Sequence, residues 1–163
     1  MTSNTNNSKD VGISVDDKEV IKSLSKLSFK QMNKAYKEGM KKALDPILKQ
    51  TKINLRNSGI RNVNKPYIGK NGKKYPSMIQ GVKTSVYIGD TEDSYGKVHI
   101  MKEFRLKFFE KGTSIRKTRK GYNRGSIKPK WFFANAVSQM SKQVAESLDE
   151  NIRNSIIKAF NNK

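Results

Sequence analysis

Apolar residues recur at helical spacing in three stretches of the chain, and at period two in one region between them. In the first stretch Asp16 or Asp17 is placed to cap a helix whose apolar side is Val20, Ile21, Leu24 and Leu27. Ser28 is placed to cap a second helix, with Met32, Tyr36, Met40, Ala43, Ile47 and Thr51 along one stripe. Leu44, Leu48 and Leu55 widen that stripe to the breadth a core-facing helix needs. Pro46 leaves two outcomes open: a kink in one continuous helix, or a new segment capped by Asp45 with Pro46 at its first position. Asn57-Ser58-Gly59 supplies the stop. The third stretch runs from about Trp131 to Phe160 with the stripe Phe133, Val137, Met140, Val144, Leu148, Ile152 and Ile156. At 1.5 Å per residue it predicts a helix roughly 40 Å long.

Between the helices the pattern changes. Val82, Thr84, Val86 and Ile88 alternate with Lys83, Ser85 and Tyr87, as in a half-buried strand. Gly89 to Gly96 forms an acidic turn, and a second alternation puts Val98, Ile100, Phe104, Leu106 and Phe108 inward. His99, Met101, Glu103, Arg105 and Lys107 point outward, and Lys102 interrupts the inner face with a bulge or a break between strands. Residues 58–76 and 111–130, rich in Gly and Pro, read as long loops. The polar, aperiodic residues 1–15 read as a disordered arm. The pattern predicts one α+β domain over residues 16–163. Its N-terminal helices and long C-terminal helix pack on one face of a small antiparallel sheet.

Composition narrows the classes. The chain has 163 residues, of which 34% are hydrophobic, against about 45–50% in ordinary globular proteins. A thin core of this kind favours a protein that works in an assembly. Without cysteine, and with His99 as the one histidine, neither a thiolate nor a His-rich metal site is expected, and no cofactor motif is present. Met1 to Asp10 lacks the apolar core of a signal peptide, and no run of about 18 apolar residues predicts a membrane span. The expected compartment is cytoplasm-like. Lys+Arg number 34 against 14 Asp+Glu, a formal net charge of +20. Such an excess points to a polyanionic partner, nucleic acid first, although abundant Lys and Asn also follow from an AT-rich coding sequence.

Candidate chemistry is sparse. His99 is the sole centre for a His-based nucleophile, and it lies on a predicted strand where a surface histidine is ordinary. Asp16/Asp17 read as helix caps, and Asp90, Glu92 and Asp93 as turn residues without calcium-loop spacing. Glu103 and Glu110 would fall on opposite faces of a straight strand. No enzyme is expected. The basic segment is the best site candidate: Arg116, Lys117, Arg119, Lys120, Arg124, Lys128 and Lys130, with no acid between Lys111 and Lys130. Its arginines suit phosphate oxygens, and it is expected either to make non-specific contact with the DNA backbone or to be a flexible solvated loop.

Two short motifs carry a resemblance. Phe108-Phe109-Glu110-Lys111-Gly112-Thr113 closes the second alternating run, and Lys128-Pro129-Lys130-Trp131-Phe132-Phe133-Ala134 opens the last helix. Their order and spacing resemble the small neck and minor tail-component (tail-completion, head–tail joining) proteins of tailed bacteriophages and prophages. In that family a strand ends in a Phe-Glu-x-Gly-Thr type motif, a variable loop follows, and a Pro-x-x-Phe-like element opens the final helix. The family's Gly-x-Leu element before the first strand is matched only by Pro76-Ser77-Met78-Ile79, without the Gly and Leu.

The resemblance covers roughly Asp16 to Phe160. It implies a structural virion component at the head–tail junction, made in the bacterial cytoplasm and assembled as a homo-oligomeric ring around the DNA channel. Its partners would be copies of itself, neighbouring neck, head-completion or tail-tube proteins, and the passing genome, with the basic loops 58–76 and 111–130 reaching either the DNA channel or an acidic face on an adjacent ring. Phe109, Glu110, Gly112 and Thr113 are read as a turn that fixes the basic loop, with Glu110 placed to cap a nearby helix or to bridge to a neighbour. Pro129, Trp131, Phe132 and Phe133 are read as anchors at the helix opening. The competing expectation is a stand-alone basic nucleic-acid-binding protein that contacts the phosphate backbone without sequence preference.

Overall fold

Ser28 does cap the second apolar stretch in the computed structural model, which describes residues 28–89 and 94–161. Its hydroxyl accepts from the Gln31 backbone N–H at 3.3 Å, and the Gln31 side chain accepts from the Ser28 N–H at 3.0 Å, a complete capping box. The expected helix before Ser28, the N-terminal arm and the acidic centre of the turn at residues 90–93 lie outside the described residues. Helix α1 (Phe29–Asn57) then runs unbroken for 29 residues with Pro46 inside it, so of the two outcomes open at Pro46 the continuous helix forms. The Ser58 N–H and hydroxyl both donate to the Leu55 carbonyl, and Gly59 turns out of the helix at φ 75°.

The buried stripe of α1 is Ala35, Gly39, Ala43, Ile47, Thr51 and Leu55, one residue every four, joined by Met40. Met32 and Tyr36, expected on that stripe, are half-buried instead. Small residues hold the deepest line because helix α3 (Phe132–Asn161) lies directly against them. A Cβ on Gly39 would stand 2.6 Å from the Ile152 Cα and 2.9 Å from the Asn151 carbonyl oxygen. This α1–α3 pair dominates the tertiary contacts. Thr51, fully buried among apolar groups, satisfies its hydroxyl on the Ile47 carbonyl at 2.7 Å.

The segment read as a loop over 58–76 contains a two-residue strand pair, β1 (Tyr67–Ile68) and β2 (Lys74–Tyr75), followed by a single 3-10 turn at Met78–Gly81. Strands β3 (Lys83–Tyr87) and β4 (Tyr95–His99) form the predicted antiparallel hairpin, with Lys83 opposite His99, Ser85 opposite Lys97 and Tyr87 opposite Tyr95. Its inner face lies on α1, where a Cβ on Gly96 would approach the Leu44 Cδ1 at 2.7 Å and the Met40 Cε at 3.2 Å. The described residues thus form an α+β fold of long helices with two small antiparallel strand pairs.

The second alternation breaks where Lys102 interrupted it. Beyond Ile100 the chain forms helix α2 (Arg105–Lys111), so Phe104, Leu106 and Phe108 are not three inward residues of one strand. Leu106 is fully buried, while Phe104 and Phe108 are exposed. The stretch carries two superposed periods: Phe104, Leu106 and Phe108 alternate, but Leu106, Phe109 and Glu110 lie at helical spacing, and burial selects the helical set. Glu103 and Glu110, assigned to opposite strand faces, are instead both buried. The core gathers Leu55, Val63, Met78, Val82, Ile100, Leu106 and Phe132 where α1, the 3-10 turn, α2 and the start of α3 meet.

Candidate functional site

The basic segment springs from the junction of α2 and α3, and the family-like motif builds its root. Gly112 ends α2 at φ 74°, and a Cβ there would meet the Ile127 carbonyl oxygen at 2.7 Å and the Pro129 ring at 3.0 Å. Only glycine suits both the left-handed backbone and this close approach. Thr113 then joins the two ends of the segment. Its N–H donates to the Ile127 carbonyl and its Oγ1 accepts from the Ile127 N–H, both at 3.0 Å. Glu110, 5% exposed, accepts from the Phe133 and Ala134 N–H groups, each at 2.9 Å. Its carboxylate occupies the N-terminal end of α3, where unpaired N–H groups and the helix dipole favour negative charge. Of the two outcomes open for Glu110, the helix cap forms; the turn follows a helix, not a strand.

The helix-opening group divides. Phe132 is almost fully buried, its carbonyl accepts from the Asn54 side chain of α1 at 3.1 Å, and Phe133 packs against the core. Trp131, expected as an anchor, is half exposed, because its backbone takes φ 49° to turn into the helix and its side chain is carried off the core. Pro129 is exposed and touches the arm root at Gly112. The Lys130 and Trp131 N–H groups donate to the Phe109 and Glu110 carbonyls. Both the backbone and the carboxylate of Glu110 therefore hold the start of α3.

Outward from this root the segment is an irregular antiparallel arm. Arg116 N–H donates to the Gly125 carbonyl at 2.9 Å, Arg124 N–H to the Arg116 carbonyl at 2.7 Å, and Thr118 N–H to the Tyr122 carbonyl at 2.8 Å. Lys117 and Asn123 form the intervening bridge, and Gly121 turns the tip at φ 83°. Arg116, Lys117, Arg119, Lys120, Arg124, Lys128 and Lys130 are all exposed, as are Ile115 and Tyr122. The sequence located these cations but not their support, since the rungs join residues with no hydrophobic alternation. Chemically the arm offers forked and point-like donors to anions without a competing carboxylate.

Two further polar constellations lie outside the arm. Glu103, 2% exposed, is bonded by the Arg105 side chain at 2.7 and 3.0 Å. Those hydrogen bonds hold the Glu103 carboxyl below its ordinary pKa, against the burial that raises it. The sign of the linked effect follows. A carboxylate whose folded pKa is depressed stabilises the fold above its unfolded pKa, and that contribution disappears as pH falls through the folded value. Urea midpoints for wild type and E103Q should therefore converge as pH is lowered through the carboxylate range, from a gap that is widest near neutrality. A gap independent of pH would show that the Glu103–Arg105 pair has no ionic component.

On β3 and β4 the Ser85 hydroxyl and His99 Nε2 lie 2.9 Å apart. Burial, then the ammonium groups of Lys97, Lys102 and Lys83, hold the imidazole below its ordinary pKa. The alternation put Ser85 and His99 on the outward face, but pairing them required the hairpin register, which the sequence pattern leaves undetermined. Among the described residues no group of His, Asp and Glu is arranged to hold a metal ion, and no helix is long and apolar enough to cross a membrane. In comparisons with known proteins the chain matches no protein-family model, no curated protein and no solved structure.

Proposed function

We propose that this chain is a structural virion component of a tailed bacteriophage, a neck or tail-completion protein at the head–tail junction and not an enzyme. The observation that carries the reading is the exposed basic arm, rooted in a buried carboxylate at the meeting point of two helices. An arm of this kind presents charge at a fixed place while its tip can conform to what it meets. In a homo-oligomeric ring, repeated arms line a channel or reach the acidic face of a neighbouring ring. The Phe109-to-Thr113 motif has a mechanical role in this reading: it transfers load between the arm and α3. Neighbouring neck, head-completion or tail-tube proteins and the passing genome are the partners, and assembly takes place in the host cytoplasm before the protein enters the virion.

The test is retention of the purified chain on duplex DNA across a salt series, with native mass measured in parallel. The reading predicts a monomer or a ring-sized particle and weak binding lost by about physiological salt. Tight binding by a monomer or dimer, with a slope in log affinity against log salt of about −6 or steeper, would replace it with the stand-alone nucleic-acid-binding protein.

A further inference from the structure

The outer face of the β3–β4 hairpin carries a second concentration of charge, independent of the arm. Gly96 faces α1, so the residues of opposite parity, Lys83, Ser85, Tyr87, Tyr95, Lys97 and His99, share the face turned away from it. They stand in three cross-strand pairs: Lys83 with His99, Ser85 with Lys97, Tyr87 with Tyr95. Lys83, Lys97, Tyr87 and Tyr95 are exposed, and Ser85 and His99 are half-buried between them. The Tyr87 and Tyr95 rings lie 5.4 Å apart between centroids, with the Lys97 ammonium 5.7 Å from the Tyr95 ring. Lys102, just beyond β4, lines a groove beside Lys83 at the edge of this face, and its charge acts on the His99 imidazole together with those of Lys97 and Lys83.

We propose that this face binds the phosphodiester backbone of nucleic acid, with Lys83, Lys97 and Lys102 gathering a phosphate beside the Ser85–His99 pair. Like charges on neighbouring strand positions repel, so their placement around one imidazole leaves a site that an anion relieves. Among the described residues the neighbouring acids do not fill that place. Asp45 of α1 lines the groove beside Lys83 and Lys102, together with Lys41 and Lys52, but is paired with Lys49 at 2.6 Å. Glu103 is committed to Arg105. Cations on the paired strands β3 and β4, with two tyrosines continuing the row, suit a strand of repeating phosphates better than one isolated carboxylate. Their fixed strand backbone distinguishes this face from the arm.

A phosphate in this place offsets the lysine field and gives the imidazole a negative neighbour, so the His99 pKa rises on binding. By linkage, binding takes up a proton and tightens as pH falls through the histidine range. His99 is the one histidine of the chain, so its ring resonances report on this face without ambiguity.

The experiment is an NMR pH titration of His99 in the full chain: alone, with saturating duplex DNA at low salt, and with inorganic phosphate at matched phosphate concentration. Duplex DNA is expected to raise the His99 pKa, and inorganic phosphate to move it far less. The variant K83Q/K97Q/K102Q, checked for folding by circular dichroism, should lose the rise. Its salt slope for duplex binding should be shallower than wild type by about 2–3. The arm variant R116Q/K117Q/R119Q/K120Q/R124Q should keep the rise once saturated. An unchanged or lower His99 pKa on saturated duplex, or a wild-type salt slope in the hairpin variant, would overturn the proposal. An equal response to inorganic phosphate would overturn its assignment to nucleic acid. These outcomes leave the head–tail reading intact, because that reading is decided by assembly mass and weak overall binding.

Discussion

Replacing Glu110 with alanine should destabilise the fold by about 3 kcal/mol, since it removes two charge-assisted hydrogen bonds and a helix cap at a buried position. The Phe133 and Ala134 N–H groups would lose their acceptor at the start of α3, next to the buried Phe132. A small domain has only about 5–15 kcal/mol in hand, so the loss should be plain in chemical denaturation and in thermal midpoint. E110Q tests the charge alone. It keeps the length and one acceptor oxygen but turns an amide toward a helix N-terminus, and it should fall between wild type and E110A. The substitution K111A, at the exposed neighbour, is the control and should change little. If E110A unfolds within about 0.5 kcal/mol of wild type, an ordinary surface effect, the root described here does not hold the arm to α3.

The second large effect has a sign opposite to helix propensity. Alanine is a better helix former than glycine by about 1 kcal/mol, yet G39A should lower stability by roughly 1–3 kcal/mol through overpacking. The reason is the backbone of α3: the added methyl would meet the Ile152 Cα at 2.6 Å and the Asn151 carbonyl at 2.9 Å, and neither can rotate away. Accommodating it requires the two longest helices to separate, which loosens contacts along the whole stripe from Ala35 to Leu55. K42A, on the exposed side of the same helix, should be neutral or slightly stabilising by comparison. Urea unfolding of both variants checks the pair of signs. A stabilised G39A would mean that the helices do not approach as closely as described.

Much of the architecture was legible because it rests on long, repeated signals. Ser28 stands as a capping residue just ahead of a long apolar stripe, and the apolar steps from Phe133 to Ile156 are sustained enough to predict a helix. The stretch from Phe104 to Phe109 was misread because two periods share the same few residues, and only the core decides between them. Gly39 carried no signal at all: in a helical pattern a lone glycine looks like a weakness, and its use depends on a partner more than a hundred positions away. The site divides in the same way. The cations of the arm are a compositional fact, whereas the Glu110 cap and the Ser85–His99 pair depend on tertiary geometry and hairpin register. Trp131 shows the limit of reading an aromatic cluster as one unit, since a single left-handed residue sends it outward while Phe132 beside it goes in.

The arm begins and ends at one clasp, where Thr113 meets Ile127 and Lys130 meets Phe109. A chain segment closed in this way is nearly a separate unit of inheritance. Lengthening it adds only the entropy of a larger loop, about 0.6 kcal/mol for each doubling, and disturbs no contact below the clasp. At the tip, beyond the Thr118–Tyr122 rung, the arm should therefore tolerate inserted residues or a grafted peptide. The same closure lets the tip be rewritten by substitution while the clasp and the helices beneath it stay as they are.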